Sequence, residues 1–186
     1  TGGSRILFNT GVGFTDVTAE FAPEFLTLQP IYDAEWLDLK GDGTSELITA
    51  GHWEAIRRFE LNENSLKQTS TIYSSSGLWN CLFFDDLDED GDLDIIAGNH
   101  GINTLFKASS SEPLEVFTAD FDDNQTPDPI ITHYLQNEKG TFIDKREFCE
   151  KMPVFNNRYL TNKQFSETSI DQLISGKDKS QIQHLA

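Results

Sequence analysis

The chain has 186 residues, of which 37% are hydrophobic, 11% aromatic and 24% charged, and this composition is typical of a folded globular protein. Fourteen Lys and Arg residues against 31 Asp and Glu residues give a formal net charge of −17, which repels nucleic-acid phosphates and anionic lipid headgroups. We therefore predict no nucleic-acid partner and no membrane insertion. No apolar run approaches the roughly 20 residues that cross a bilayer.

The N-terminal segment contains two short β-favouring runs, residues 5–10 and 14–18, which Gly11-Val12-Gly13 joins. This pattern predicts a hairpin. No acidic loop precedes the hairpin, so we expect the chain to begin part-way through a repeat. The first ten residues lack the charged and then apolar plan of a signal peptide, and we expect any export signal to lie outside this chain.

Acidic residues are concentrated in three segments, 38–46, 85–94 and 120–128, which together hold 14 of the 31 carboxylates. Acidic or amide side chains fall on every second residue there, whereas a helix would space the charges of one face three or four residues apart. A cation that prefers oxygen relieves such repulsion, and Ca²⁺ accepts six to eight oxygen ligands. Mg²⁺ fits less well because it requires a strict octahedron and retains several waters. The repeated pattern therefore predicts calcium sites, with solvated surface turns as the alternative.

The second and third acidic loops, residues 86–94 and 120–128, carry the predicted ligands of two calcium ions. Gly91 allows the sharp turn in the second loop, and the seventh position of each loop contributes its backbone carbonyl. For the second loop we predict the side chains of Asp86, Asp88, Asp90 and Asp94 and the carbonyl of Asp92. For the third loop we predict the side chains of Asp120, Asp122, Asn124 and Asp128 and the carbonyl of Thr126.

The first acidic loop, residues 38–46, differs because its third position is Lys40. The ammonium group removes one oxygen ligand and adds a positive charge. We expect it to lie among Asp38, Asp42 and Glu46 and to replace the cation internally. The first loop is therefore predicted to be free of metal.

The residues that flank the acidic loops favour strands. A calcium-binding helix-loop-helix hand needs a bidentate Glu at its twelfth position, where these loops have Thr49, Ala97 and Ile131. Short apolar β-favouring runs follow the loops, at 47–50, 95–97 and 130–132, and alternating patterns precede the first and third of them. Each loop is therefore predicted to join two strands of an antiparallel hairpin.

The spacing of the loops predicts a repeat architecture. The first and second loops begin 48 residues apart, and propeller blades of four strands span about 40–50 residues. The strands of this blade are predicted at 31–38, 46–52, 55–61 and 66–73. The next interval is only 34 residues and lacks room for a fourth strand. Closed propellers need about four to eight blades, so three loops predict a partial β-propeller of about three blades, whose exposed edges favour self-association.

From residue 144 onwards the pattern becomes helical. Lys145 to Met152 has helical spacing and Pro153 ends it, while Thr161 to Gln164 matches a capping box ahead of further apolar residues. We predict two short helices whose apolar stripe packs on the propeller, followed by a frayed polar tail from Gly176. The predicted fold class is thus mainly β, with residues 1–143 forming the partial propeller and residues 144–186 a helical extension.

The two cysteines, Cys81 and Cys149, lie far apart in the sequence, and neither belongs to a CxxC motif or a histidine cluster. This spacing does not indicate a zinc site. Both cysteines have apolar neighbours, so we predict buried free thiols rather than a disulfide. The alternative of a disulfide leaves the redox compartment open.

The histidines and tryptophans offer further candidate site residues. His52 and His100 each follow the last ligand position of a loop by six residues, and a residue type that recurs in this way usually packs between repeats. We therefore predict a packing role for both histidines. Trp36, Trp53 and Trp79 could stack on a sugar, but Trp in a strand is more often part of the core.

The three loops, together with Gly77 to Asn80, Gly98 to Asn103 and the helical stretch from Lys145 to Ile174, resemble the FG-GAP/VCBS-repeat proteins. More narrowly, they are similar to bacterial relatives of cartilage acidic protein that carry an ASPIC domain elsewhere. The resemblance covers about residues 7–174. It implies calcium sites in β-propeller blades, at the ligands named above, and an exported or surface-exposed binding module. The chain lacks a Phe-Gly…Gly-Ala-Pro signature, so the integrin-like cell-adhesion role of some relatives is not carried over.

The sequence favours a noncatalytic function. It contains no GxSxG, HExxH or glycine-rich phosphate loop, and we predict no catalytic residues and no enzyme activity. We predict a calcium-binding module that presents its surface to a protein or glycan partner, in the periplasm, at the cell surface or outside the cell. The alternatives are part of a polysaccharide-degrading enzyme built on a propeller scaffold and a purely architectural assembly element.

Overall fold

The structure is a computed structural model that describes residues 3–101, 104–135 and 137–186, so the last two residues of the motif at 98–103 lie outside the description. Strands account for 42% of the chain and helices for 18%, which confirms the prediction of a mainly β protein. Antiparallel sheets with a few short helices are consistent with a partial propeller. Among the described residues, no helix has the length and apolar character that crossing a membrane requires.

Ten strands and four short α-helices make up the regular structure of the described residues. The strands are β1 (Leu7–Asn9), β2 (Phe14–Asp16), β3 (Ile31–Leu37), β4 (Glu46–Asn62), β5 (Ser65–Asp85), β6 (Asp94–Asn99), β7 (Glu115–Ala119), β8 (Asp128–Leu135), β9 (Glu138–Thr141) and β10 (Gln183–Leu185). The helices are α1 (Thr18–Phe21), α2 (Lys145–Lys151), α3 (Asn162–Ser166) and α4 (Ile170–Ile174). Short 3₁₀ turns occupy Pro23–Leu26, Pro153–Asn157 and Lys179–Gln181.

The chain divides into two compact units, residues 1–101 and 102–186. The predicted boundary between residues 143 and 144 lies inside the second unit. The third acidic loop and the C-terminal helices therefore belong to one unit, because strand β10 follows the helices and pairs with β7 beside that loop. The first and second acidic loops belong to the first unit.

The first unit contains the two-stranded hairpin β1-β2 and a four-stranded antiparallel sheet in the order β3-β4-β5-β6. The predicted N-terminal hairpin is present, and the first and second acidic loops connect β3 to β4 and β5 to β6. The predicted strands 46–52 and 55–61 are one continuous strand, β4. Where a break between the two strands was expected, the pairing of β4 with β5 instead shifts register, between His52 and Glu54 and between Glu54 and Ile56.

Strand β4 supplies both cores of the first unit because successive side chains of a strand point to opposite faces. Leu47 and Phe59 pack with Phe25 and Leu66 on one face, and Ile48, which is fully buried, packs with Ala50 and Ile56 in a separate cluster. The alternation explains why the apolar run after the first acidic loop is buried throughout.

The second unit packs helices on an antiparallel sheet in the order β10-β7-β8-β9. Its core joins Phe117 and Ile130 of the sheet to Phe148, Phe165 and Leu173 of the three helices. The predicted capping box is confirmed: the Thr161 hydroxyl accepts from the Gln164 amide at 3.1 Å, and the Gln164 side chain accepts from the Thr161 amide at 3.2 Å. The helical stretch contains three α-helices rather than two, since a second capping box begins α4 at Ser169.

The C-terminal tail is a correction to the sequence prediction. Residues 183–185 do not fray but form β10, which pairs antiparallel with β7. His184 Nε2 lies 2.9 Å from Glu115 Oε1, and the His184 ring stacks on Phe117 with centroids 4.4 Å apart. Lys139 pairs with the other carboxylate oxygen of Glu115. These contacts hold the polar C-terminal segment against β7, although its sequence lacks the apolar alternation that is typical of a strand.

The cysteines match the prediction in one respect and contradict it in another. Both are free thiols, and Cys149 is buried at 4% exposure in the core of the second unit. Cys81, however, is exposed, because β5 turns its side chain to the outer surface. Leu82 points to the opposite face of the strand, and Phe83 shares the face of Cys81 but is itself 56% exposed, so apolar neighbours do not indicate burial here.

Candidate metal centre

The three acidic loops fold in the same way, which is easiest to see when the residues of each loop are numbered one to nine from its first Asp. In each loop, the side chain of the first Asp accepts hydrogen bonds from the backbone amides of the fifth and sixth residues. In the second loop, Asp86 accepts from the amides of Asp90 at 3.1 Å and Gly91 at 3.0 Å. Asp120 makes the equivalent bonds to Asn124 and Gln125, both at 2.9 Å. Asp38 does the same in the first loop, with amides at 3.0 and 2.7 Å.

Two further hydrogen bonds close each loop. The side chain of the ninth residue accepts a hydrogen bond from the backbone amide of the second residue, at 3.0 Å in every loop. The ninth residues are Glu46, Asp94 and Asp128. The fifth side chain accepts from the seventh amide, so that Asp90 bonds to Asp92 at 3.1 Å. Side chains that accept from nearby backbone amides are the general mechanism by which Asp and Asn favour turns.

The fourth and sixth residues of every loop adopt the left-handed conformation. At the sixth position Gly91 has φ +94°, as the sharp turn predicted, and Gly43 has φ +84°. Gln125 adopts φ +70° at the same place in the third loop, and Glu89 and Asp123 adopt φ +62° at the fourth position. Residues with a Cβ pay a conformational cost there. The common turn is therefore maintained even where the sequence lacks glycine.

The folded loops bring three carboxylates together in two of the three cases. Ligand oxygens of Asp86, Asp88 and Asp94 all lie within 4.8 Å of one another, and so do oxygens of Asp120, Asp122 and Asp128. Two oxygens that bind one Ca²⁺ ion at 2.3–2.6 Å lie at most about 5 Å apart, so both clusters fit this cation. These residues occupy positions one, three and nine, and they join the two strands that the loop connects.

Among the predicted carboxylate ligands, Asp90 is not part of the converging set. Asp90 and Asn124 each direct one side-chain oxygen to the backbone amide of the seventh residue, at 3.1 and 2.7 Å. Asp92 and Thr126 supply those amides, and their carbonyls and the Asn124 side chain stay predicted ligands. The second and third loops thus each have three converging carboxylates and a fifth residue that supports the turn.

Repulsion between carboxylates raises the pKa of one residue in each of these two loops. In the second loop, the pKa of Asp92 is raised above its ordinary value, chiefly by the charge of Asp90 and then by a hydrogen bond that protonated Asp92 donates to Asp90. The pKa of Asp128 is raised mainly by burial and further by the charges of Asp122 and Asp120. A cation in either loop would lower these pKa values because it stabilises the charged carboxylates.

The first loop contains its own cation. Lys40 Nζ lies 3.1 Å from Glu46 Oε1 and 2.5 Å from Glu60 Oε1, and the Glu46 side chain is only 1% exposed. The carboxylates of Glu60 and Glu46 raise the pKa of Lys40. The prediction that Lys40 neutralises Glu46 is correct, but its second contact is Glu60 on β4 rather than Asp38 or Asp42. The sequence contains no signal for Glu60, because it lies 20 residues from Lys40.

The third loop has a cationic neighbour that the sequence did not indicate. Lys177 forms an ion pair with Asp123, the fourth residue of the loop. Its pKa is raised by that contact first, and then by the charges of Asp123, Asp120 and Asp122. Asp123 is not one of the converging carboxylates. Lys177 therefore reduces the negative potential of the loop without taking up a ligand oxygen.

The second unit also has a surface concavity of about 470 Å³ on the side of α2. Lys145, Arg146, Glu150 and two asparagines are among the residues that line it, and none of its lining residues belongs to an acidic loop. The concavity and the carboxylate clusters are thus separate features.

Comparison of the chain with protein-family models, with curated proteins and with solved structures finds no match. The resemblance to FG-GAP/VCBS-repeat proteins therefore stays a prediction that rests on the loop residues and their spacing. Arguments about function must start from the loops themselves.

Proposed function

We propose that this chain is a noncatalytic calcium-binding β module that binds a protein or glycan partner at the cell surface or outside the cell. One Ca²⁺ ion would bind in the second acidic loop and one in the third. The observation that carries the proposal is the convergence of Asp86, Asp88 and Asp94, which the third loop repeats with its own three carboxylates.

The chemistry of the donors supports calcium in particular. All six converging side chains are carboxylates, and hard oxygen donors of this kind suit Ca²⁺ rather than metals that prefer nitrogen or sulfur. Bound calcium would supply positive charge that offsets the repulsion among them. The first, third and ninth residues of a loop would hold the ion, while the fifth keeps the turn closed.

The position of the loops supports a structural role for the metal. The second loop connects β5 to β6, where Asp85 pairs with Asp94, and the third connects β7 to β8, where Ala119 pairs with Asp128. An ion held by the first and ninth residues joins the two strands of each hairpin at its end. Calcium should therefore be observed as added stability.

Exposed aromatic side chains on the β3-β4-β5-β6 sheet support an interaction role. Tyr32 is 55% exposed, Trp36 49% and Phe83 56%. Large apolar side chains that remain exposed at a sheet surface are common in binding sites for proteins and sugars. Carboxylate loops that are only half-buried also suit the high calcium concentrations found outside cells, where modules with weak affinity operate.

The test measures calcium binding and thermal stability of a double variant, Asp88→Asn with Asp122→Asn, against the wild-type chain. Asn keeps the shape of Asp and removes one charge from each cluster. The charge-matched control is Glu89→Gln with Asp123→Asn, which alters the neighbouring fourth positions. We expect calorimetry to detect two calcium ions in the wild type and the control, and EDTA to lower Tm in both.

The ligand-position variant should bind calcium at least about 10-fold more weakly and should lose most of its response to EDTA. Equal binding by the two double variants, or a wild-type Tm that excess EDTA leaves unchanged, would overturn the proposal.

A further inference from the structure

A second group of side chains with ligand character lies away from the acidic loops, on the β3-β4-β5-β6 sheet. It contains Tyr32, His52, Asn80 and His100, which belong to or directly follow four different strands. The Tyr32 and His52 rings are stacked with centroids 3.8 Å apart, and the His52 and His100 centroids are 5.3 Å apart with planes inclined at 58°. His52 is half-buried and His100 is exposed.

The two histidines meet because they occupy the same position in successive hairpins. The His52 amide donates to the Pro30 carbonyl at 3.2 Å, and the His100 amide donates to the Leu78 carbonyl at the same distance. Strands β4 and β6 run in the same direction on either side of β5, and both histidines lie beside Leu78 of β5, because His52 pairs with Leu78 and the His100 amide bonds to it. The two rings contact each other across the hairpins, in agreement with the predicted packing role, and His100 remains open to solvent.

The backbone beside His52 is strained. Trp53 has φ +62°, a conformation that is unfavourable for a bulky residue, and it lies in a β-bulge between His52 and Glu54. A Cβ at Gly51 would lie 2.2 Å from the Pro30 carbonyl oxygen, so this position requires glycine. Bulges of this kind redirect a side chain, and they occur often beside functional sites. Here the bulge sets the direction of His52.

A neighbouring amide determines which nitrogen of His52 can act as a ligand. Asn80 Nδ2 donates to the Leu78 carbonyl at 3.0 Å, which turns Asn80 Oδ1 towards His52 Nε2 at 3.1 Å. An amide oxygen only accepts, so neutral His52 carries its proton on Nε2 and keeps the lone pair on Nδ1. Ligand histidines in metal sites are held in the same way, by a partner that accepts from the other ring nitrogen.

We propose that His52 and His100 bind one late first-row transition-metal ion, of the Zn²⁺, Ni²⁺ or Cu²⁺ class, with water completing the coordination. Two imidazoles that bind one ion at 2.0–2.1 Å with a tetrahedral angle have ring centroids about 5 Å apart, which agrees with the observed 5.3 Å. Imidazole nitrogen selects such metals over calcium. Asn80 and Tyr32 are positioning residues that hold the His52 ring.

The experiment titrates Zn²⁺ into the whole chain by calorimetry in saturating Ca²⁺, so that the acidic loops are not available to zinc. Variants His52→Ala and His100→Ala are compared with the control His133→Ala, which removes a histidine of the second unit. We expect one zinc ion in the wild type and the control. We also expect a loss of more than about 10-fold in affinity for either site variant, and about 10-fold for Asn80→Ala.

NMR of the imidazole protons provides a second readout, with shifts at His52 and His100 on addition of zinc and none at His133. Circular dichroism confirms that each variant is folded. Equal affinity of His52→Ala, His100→Ala and His133→Ala, or absence of zinc binding to the wild type, would overturn the proposal. Calcium binding is measured separately, so failure of the calcium proposal would leave this result interpretable.

Discussion

The first and second acidic loops have the same backbone and opposite charge at one position. Asp38 and Asp86 accept the same pair of amide hydrogen bonds, and Glu46 and Asp94 close their loops at the same 3.0 Å distance. The third residue is Lys40 in the first loop and Asp88 in the second. The same hydrogen-bonded turn therefore forms with either charge at the third position, and the third residue decides whether the loop contains an internal cation or a cluster of carboxylates.

The first and second loops also differ in how the negative charge of their carboxylates is neutralised. In the first loop, Lys40 forms ion pairs with the buried Glu46 and with Glu60. Both carboxylates belong to β4, so the neutralisation of charge in this loop depends on that strand. Asp88 has only carboxylates as near neighbours in the cluster. If the proposed calcium ion binds, the second loop obtains from that ion the charge compensation that the first loop obtains from a lysine side chain.

The largest effect is expected when the lysine is transferred to the second loop. Asp88→Lys should abolish calcium binding there, because it removes a ligand and adds a positive charge. At calcium 100-fold above Kd, the loss is about 2.7 kcal/mol, or about 5–10 °C in Tm for a chain of this size. Calorimetry and thermal melts measure both. Glu89→Lys, with the same charge change at the fourth position, should keep its calcium ion; loss in both variants would point to charge alone.

The reverse exchange, Lys40→Asp, should create a third calcium site. In EDTA the variant should be less stable than the wild type by about 1–3 kcal/mol, since buried Glu46 loses its ion pair and gains a like charge. Calcium should restore much of this loss. Calorimetric stoichiometry should rise by one ion, and an unchanged stoichiometry would show that the first loop differs from the second in more than its third residue.

A smaller effect is expected for Lys40→Met, which keeps the aliphatic stem and removes the charge. Lys40 is itself partly exposed, so the loss of stability should be smaller than that of Lys40→Asp when both are measured by urea unfolding in EDTA. Lys163→Met, in an exposed pair with Glu167, is the control and should change stability by less than about 0.5 kcal/mol. Equal values for the two would mean that burial of Glu46 adds nothing to the pair.

The smallest effect concerns pH. Lys40 lowers the pKa of Glu60 below its usual 4.5, so the native state binds fewer protons than the unfolded state around that pH. The stability that Glu60 contributes is present above pH 4.5 and is lost as the pH falls through its folded pKa. Unfolding of the calcium-free chain at pH 5.5 and pH 3 should therefore show a shallower acid decline in Lys40→Met than in the wild type.

Sequence patterns predicted the local elements well, because those elements depend on residues near each other in the chain. The loop turns, the hairpins around them and the capping box at Thr161 all follow from side chains that bond to amides a few residues away. The pattern also identified Lys40 as the residue that distinguishes the first loop, since the closed turn brings the third residue close to the ninth, where Lys40 pairs with Glu46.

Contacts between distant segments could not be read from these patterns. Strand β10 pairs with β7, where His184 contacts the Glu115 carboxylate and stacks on the Phe117 ring. The sequence of the tail has no apolar alternation that would indicate a strand. Strand β4 continues past residue 52 because a left-handed Trp53 and a bulge take up the bend. Both outcomes depend on a neighbouring strand, which lies outside the short stretch of sequence from which each element was predicted.

By itself, then, the sequence determined the mainly β class, the closed turns and the oxygen-rich side chains of the second and third loops, while the structure showed which three carboxylates of each converge. Only the tertiary structure decided that Glu60 shares Lys40, that Lys177 approaches the third loop and that His52 meets His100. The physical reason is one of range. Hydrogen bonds within a nine-residue turn form wherever the turn forms, whereas partners 20 to 54 residues apart meet only after strands have paired and a core has closed.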